Sequence, residues 1–236
     1  MTYLSRLALN PRSREVRRDL ADCQQLHRTI MSAFPQAGDG EPARERFGVL
    51  YRLDADRAEN AFLLVQSRAE PDWSRLSSGY LLDEAALKQI DRVFDLLAAE
   101  RAFIFRLRAN PTRKIGTRSG PDGKRNNGTR VELHGEEEWI AWLKRKGEQH
   151  GFRLVAVRAS PSVADARAAG RQTLTGSKPV GDASRRLTFF SVLFEGRLVI
   201  TDAVLFQSAL ADGIGPGKAY GMGLLSLAPA RAAAGV

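Results

Sequence analysis

The sequence predicts an α+β protein built from two tandem ferredoxin-like domains of the kind that RNA-recognition modules share. Three observations carry this. Short alternating apolar stretches are separated by single helical stretches, giving the order βαββαβ between residues 3 and 109. The same order recurs, with different residues, between about 130 and 228. A chain of 236 residues with 43% hydrophobic content can bury two small cores. The division expected is 1–111 for the first domain, 112–130 for a basic linker or loop, and 131–236 for the second domain.

The first strand is read at residues 3–9, where Tyr3, Ser5, Leu7 and Leu9 share one face. Asn10-Pro11 ends it, and a basic stretch follows with Arg12, Arg14, Arg17 and Arg18. Asp22 is the expected N-cap of a helix from Cys23 to about Phe34, with Gln25 at capping-box spacing and Pro35 as the stop. Leu26, Ile30, Ala33 and Phe34 form its apolar stripe. Strands are expected at 47–53 and 61–67, and a helix through Leu87, Ile90, Val93, Phe94 and Leu97. A further strand covers 102–109, in which Phe103 and Phe105 alternate with Arg106 and Arg108. Residues 112–130 hold Arg113, Lys114, Arg118, Lys124, Arg125 and Arg130 among glycines and asparagines, opposed only by Asp122, as in a cationic surface loop.

In the second half a short strand near 130–133 precedes a helix over 136–150. That helix is acidic in its first turn and basic late, as the helix dipole favours, with Trp139, Trp142 and Leu143 inward and Gly151 at its end. A strand at 152–158 leads into a long polar insertion, 159–186, carrying Arg167, Arg171, Lys178, Arg185 and Arg186. A hairpin is expected at 187–194 and 197–200 around a Glu195-Gly196 turn, then a helix over 202–211 and a final strand at 224–228.

The formal charge of +9 points to a polyanionic partner. One cysteine, Cys23, allows no internal disulfide and fits a reducing cytoplasm. Three histidines, one cysteine and no acidic cluster at metal spacing speak against a zinc cage or a two-metal nuclease, and no cofactor or metal is expected. No run of 18 apolar residues occurs, the first residues lack a secretion-signal layout, and no basic amphipathic helix addresses a membrane.

Two features could carry chemistry. Residues 213–223, with Gly215, Gly217 and Lys218, could form a backbone nest for a phosphate, or a tight connection that needs positive φ angles. The spacing excludes a Walker A loop, and the preceding helix excludes a dinucleotide fingerprint. His27 lies about 100° around the helix from Leu26, at the edge of the apolar stripe. It is either a proton-transfer group near neutral pH, with Arg28 beside it, or a boundary histidine satisfied by a carbonyl.

Several segments then occur together and in order: Tyr3-Leu4-Ser5-Arg6-Leu7, Leu26-His27-Arg28-Thr29, Phe105-Arg106-Leu107-Arg108-Ala109-Asn110-Pro111, Ala141-Trp142-Leu143, Leu193-Phe194-Glu195-Gly196-Arg197-Leu198, Gly213-Ile214-Gly215-Pro216-Gly217-Lys218, and Gly223-Leu224-Leu225-Ser226-Leu227-Ala228-Pro229. The chain resembles the CasE family, the CRISPR repeat RNA endoribonucleases of type I-E systems, over nearly its whole length. The resemblance implies two ferredoxin-like domains and metal-independent cleavage of precursor CRISPR RNA at the base of the repeat hairpin, leaving a 2′,3′-cyclic phosphate. It implies retention of the product within Cascade, beside the adjacent backbone subunit. The family's catalytic histidine falls on His27, and Arg28 matches an arginine of some relatives. Gln24 stands where members of the family often have a tyrosine, and is expected to touch RNA. Lys114, Lys124, Arg125, Arg130, Arg171, Lys178 and Lys218 are the expected RNA-binding cations, with Gly215 and Gly217 shaping the backbone cradle. A non-catalytic tandem RNA-binding module and a protein-docking scaffold are the alternatives.

Overall fold

The computed structural model describes residues 1–36, 42–116, 128–181 and 183–230. The first sheet begins with β1 (Tyr3–Ala8), whose residues Tyr3, Ser5 and Leu7 are buried, so its alternation falls as the sequence reading has it. Two helices follow in place of one. α1 (Arg14–Ala21) is capped by Ser13, and α2 (Cys23–Met31) by Asp22. The basic stretch after β1, to which the sequence reading gave no element, is thus mostly helix: Val16 and Asp19 face inward and the arginines stay on the surface. The Asp22 N–H bonds to the Arg18 carbonyl and closes α1, so Asp22 serves both helices and forms no capping box.

After a short helix α3 (Ala43–Arg46) come β2 (Leu50–Ala55) and β3 (Ala61–Ser67), then a single tight turn at Trp73–Arg75 and β4 (Ala86–Gln89). The sheet order is β2-β3-β1-β4, all antiparallel, which is the ferredoxin-like arrangement. The helix expected through Leu87 and Leu97 is corrected here. Residues 86–89 pair with Tyr3–Arg6 as an edge strand, and only α4 (Asp91–Asp95) is helical. The helical spacing of apolar residues was real, but β1 offered an unpaired edge that took the segment.

β5 (Ala102–Ala109) belongs to the second sheet, between the strands Ala183–Ile200 and Leu225–Pro229. A boundary after residue 111 therefore cuts this strand from its partners, and the sheets divide before Ala102. β6 (Thr112–Ile115) and β7 (Thr129–Glu132) pair with each other as the arms of a basic hairpin. α5 (Glu136–Gln149), β8 (Phe152–Leu154), and the small pair β9 (Ala156–Val157) and β10 (Ser160–Ala164) follow.

The polar insertion expected at 159–186 is instead strand. β11 (Ala166–Val180) and β12 (Ala183–Ile200) form a long antiparallel hairpin whose inner end is the middle of the second sheet. Glu195-Gly196 is not a turn. Both lie inside β12, opposite Arg106 and Phe105. A Cβ on Gly196 would lie 2.3 Å from the Asp165 carbonyl oxygen, so this glycine permits a close backbone approach. α6 (Ala203–Asp212), capped by Asp202, leads through the glycine-rich loop to β13 (Leu225–Pro229). The order β11-β12-β5-β13, with β8 also on β12, repeats the ferredoxin-like arrangement.

Each sheet has its own core. Leu7, Leu26, Ile30, Phe34, Leu63 and Trp73 pack the first, and Phe105, Trp142, Phe152, Phe194, Phe206 and Leu225 the second. The two halves are joined by buried polar contacts. Arg52 is 2% exposed and donates to both carboxylate oxygens of Asp54, at 2.9 and 2.8 Å. It also donates at 3.1 Å to the Arg106 and Leu224 carbonyls across the junction. Gln66 Nε2 donates at 2.8 Å to the Leu210 carbonyl.

Candidate active site and nucleic-acid interface

The site grows from the start of α2. Asp22 Oδ1 accepts from the Gln24 and Gln25 N–H groups at 2.8 and 3.2 Å, which starts the helix. Its second oxygen accepts from the Ser177 N–H at 3.1 Å, which draws the far end of the β11–β12 hairpin onto the helix. Gly176 allows this. A Cβ there would lie 2.7 Å from Asp22 Oδ1 and 3.0 Å from the Gln24 nitrogen. The hairpin thereby brings Lys178 close to His27.

Gln24 and His27 sit one turn apart on α2, facing the glycine-rich loop. Within that loop Gly217 and Gly221 take left-handed conformations at φ 84° and 81°, bounding a single turn at Lys218–Tyr220. The Tyr51 hydroxyl donates to the Ala219 carbonyl at 2.9 Å and anchors the turn. Tyr220 then meets α2 directly. Its hydroxyl donates to Gln24 Oε1 at 3.1 Å, and its ring meets the His27 ring edge-on, with centroids 6.0 Å apart. Its other neighbour is Phe189 of β12, stacked at 4.6 Å.

His27 Nδ1 is buried and has no hydrogen-bond partner. This differs from a boundary histidine satisfied by a carbonyl. Burial first, and then the charges of Arg44 and Lys178, lower the imidazole from 6.5 to about 4. The ring is therefore neutral in the free protein at neutral pH, with one nitrogen unsatisfied, between two cations. Lys218 is half-buried, with its pKa lowered by burial and by Arg44, so it shares this cationic neighbourhood. Cys23 beside Gln24 is pushed up to about 11 by burial and remains a protonated thiol.

Other expected residues lie elsewhere. Arg28 is exposed and lines a neighbouring open cleft of about 430 Å³ with Arg18, Arg75, Thr29 and Ser32. It points to a second face of α2, away from the His27–Tyr220 cluster. Gly215 has φ 84° and lies with its Cβ position 3.1 Å from the Trp142 ring. In Gly217 the same position would be 2.5 Å from the Met222 methyl. Both glycines meet the needs of a tight connection. Arg171, on the outer hairpin, lies over the Phe190 ring at 5.0 Å and pairs with Glu132 at 3.6 Å. Lys114 and Arg130 lie on the paired arms β6 and β7. Lys124 and Arg125 lie outside the described residues. Among the described residues no three His, Cys, Asp or Glu side chains converge to hold a metal. No helix among them is long and apolar enough to cross a membrane.

Sequence reasoning missed Tyr220 and Arg44. Tyr220 lies inside the glycine-rich segment that drew attention, and an aromatic between two glycines was the available signal. Arg44, in a short helix far from His27 in sequence, gave none.

Two ferredoxin-like sheets, locked at their junction and meeting at a histidine in a cationic cleft, define a tandem ferredoxin-like α+β protein. The chain belongs to the family described as CRISPR associated protein, whose sequence model matches residues 2–229. It is 38% identical over 231 residues to the CRISPR-associated endoribonuclease Cse3 of Thermus thermophilus, covering 96% of this chain and 100% of that one. It is 31% identical over 215 residues to the CRISPR system Cascade subunit CasE of Escherichia coli, covering 88% and 92%. Its fold is similar to the solved structure of CRISPR endoribonuclease Cse3 bound to 19 nt RNA, with a TM-score of 0.76, 37% identity, and coverage of 96% and 100%.

Proposed function

We propose that this chain is a CRISPR-associated endoribonuclease that cleaves precursor CRISPR RNA at the base of the repeat hairpin and remains on its product as a Cascade subunit. The observation that carries the chemistry is His27, neutral, with an unpartnered buried nitrogen and two cations around it. RNA holds its own nucleophile beside each phosphorus, so a protein need only align it and manage charge and protons. Neutral His27 takes the proton from the 2′-hydroxyl as its oxygen bonds to phosphorus. The pentacoordinate phosphorane gains negative charge, which Lys178 and Arg44 offset. The bond to the 5′-oxygen breaks as the imidazolium returns its proton to that oxygen, which leaves as a hydroxyl with His27 neutral again. The products are a 2′,3′-cyclic phosphate and a 5′-hydroxyl, and no metal enters the reaction.

Tyr220 is the neutral donor next to His27. Burial raises its pKa, so the phenol keeps its proton. Its one O–H is held by Gln24 Oε1 in the free protein, and turning from that amide oxygen to the reacting phosphate makes it a donor there. Arg28, with Arg18 and Arg75, grips the RNA backbone on the adjoining face instead of the phosphorane. Lys114, Arg130 and Arg171 extend the electrostatic track along the two hairpins, Lys124 and Arg125 are further RNA-binding cations, and Lys218 with Gly215 and Gly217 forms the edge of the track at the glycine-rich loop. The reaction takes place in the cytoplasm, where the single thiol stays reduced.

The test uses wild type and His27→Ala, each in excess over a repeat hairpin RNA, in EDTA. Wild type cleaves at one site below the stem. His27→Ala loses on the order of 10²–10⁴ in rate and keeps its RNA affinity. An RNA with hydrogen in place of the attacking 2′-hydroxyl stays intact. Survival of cleavage in that RNA rules out the mechanism, and tight binding without cleavage by wild type leaves only an RNA-binding module.

A further inference from the structure

Beside the His27 cluster lies a second cavity, of about 100 Å³, that the cleavage chemistry does not use. It opens between the junction of α1 with α2, strand β2 and the hairpin arm β11. Leu26, Tyr51 and Leu53 form apolar walls, Thr173 of β11 stands at its rim, and Tyr220 belongs both to this cavity and to the cluster around His27. Arg108 reaches it from β5.

Arg108 is the unusual element. It is 9% exposed, a charged residue at the junction of the two sheets. Its Nη1 makes two long contacts, 3.3 Å to the Gly170 carbonyl and 3.4 Å to Ser191 Oγ. Its Nε is buried with no acceptor. The one carboxylate that favours its charge, Asp54, is already taken by Arg52, whose Nε donates to both of its oxygens. Burying a guanidinium edge without an acceptor is costly, and the cost is relieved when a ligand brings one.

We infer that this cavity takes one nucleobase adjacent to the cleaved bond, and that Arg108 reads its acceptor edge, guanine fitting best. This rests on the endoribonuclease reading above. A guanidinium presents parallel donors to O6 and N7 of guanine, the commonest specific pairing of arginine with a base. Unpaired nucleotides at the ends of RNA stems are read in this way, splayed from the stack and held against aromatic and apolar surfaces. Three apolar walls favour a planar base over a backbone phosphate, which would lose its hydration there. Shared Tyr220 places the bound nucleotide next to His27, so filling the cavity also sets the register of cleavage. Arg108 is thus a specificity residue for the same reaction.

The experiment compares wild type, Arg108→Met and Thr173→Trp on repeat hairpin RNAs in which each nucleotide flanking the cleaved bond is varied through all four bases. Single-turnover rates are read, together with equilibrium binding of the same RNAs carrying a 2′-deoxy group at the cleavage site. Wild type is expected to prefer guanine at one flanking position by roughly 5- to 150-fold. Arg108→Met should reduce that preference to within about twofold, with the rate on guanine falling toward that on the other bases. Thr173→Trp, at an exposed rim position, should block entry and give the same loss without disturbing a buried side chain. Equal cleavage and equal binding of all four bases by wild type would overturn the inference. So would a uniform rate loss in both variants, the mark of a phosphate contact or a packing role. Guanine-dependent binding without any cleavage would uphold the cavity and overturn the proposed chemistry instead.

Discussion

Replacing His27 by glutamine should change how stability depends on pH, and the structure fixes the sign. The imidazole is held at about 4, against 6.5 for an unhindered ring, by burial and then by Arg44 and Lys178. That fall corresponds to up to about 3 kcal/mol of preference for the neutral form. Above pH 6.5 the ring is neutral in the folded and the unfolded chain and contributes no pH dependence. Between 6.5 and about 4 the unfolded chain binds a proton that the folded chain refuses, so stability falls with pH and levels off below that window. Urea unfolding of wild type and His27→Gln at steps from pH 7.5 to 4.5 isolates the contribution, since carboxylate titrations are common to both. The difference between the two should be flat above pH 6.5. It should then move against wild type by nearly 1.4 kcal/mol per pH unit in the lower half of the window. Curves that stay parallel down to pH 4.5 would mean that folded His27 titrates near its ordinary value, and the buried, unsatisfied ring would be refuted. A non-cleavable RNA supplies the second arm. A phosphate beside His27 favours imidazolium, so binding takes up a proton and affinity rises as pH falls from 7 to 5.5 in wild type only.

Tyr220→Phe keeps the ring on Phe189 and His27 but deletes the 3.1 Å bond to Gln24, leaving a buried amide oxygen unpaired. It should cost about 1–1.5 kcal/mol in stability and at least about tenfold in single-turnover rate, with RNA affinity retained. Combining it with Gln24→Ala should cost less than the two singles added, which thermal melts and cleavage rates both report. Asp54→Asn strands the Arg52 guanidinium at the junction of the sheets and should cost on the order of 3–5 kcal/mol, measured by urea unfolding.

What the sequence made legible was local. Asp22 as a cap, the stripe of Leu26, Ile30 and Phe34, and the alternation of Tyr3, Ser5 and Leu7 are read within a few residues, and the structure agrees. Strand 102–109 was read to the residue, and its faces resolve here: Phe103, Phe105 and Leu107 turn to the core and Ile104 is 47% exposed beside the arginines. What failed was decided by distant partners. Residues 166–180 are rich in Ala, Gly, Thr and Arg and lack an apolar face of their own, yet β12 pairs with nearly every one of them. Gly196 looked like a turn because its reason for being glycine, the Asp165 backbone 2.3 Å from a would-be Cβ, lies 31 residues upstream. The position of His27 on its helix edge was visible, but Tyr220 and Lys178 against it were not.

Three separate pieces of backbone close around His27, and two side chains, Asp22 and Tyr51, hold them there. The helix start is held by Asp22, the hairpin by the same carboxylate through Ser177, and the glycine-rich turn by Tyr51 through Ala219. Tyr51 and Asp22 belong to the first domain, the hairpin and turn to the second, so the site exists only while the two sheets keep their relation. The buried Arg52–Asp54 pair and Gln66 maintain that relation with bonds across the junction. A pair so deeply buried adds little net stability over apolar packing, but its directional donors reach two carbonyls of the second domain and admit one register. Its function is therefore geometric. It sets the second domain's cation and phenol against the first domain's imidazole, the placement that the proposed in-line attack at a phosphorus requires.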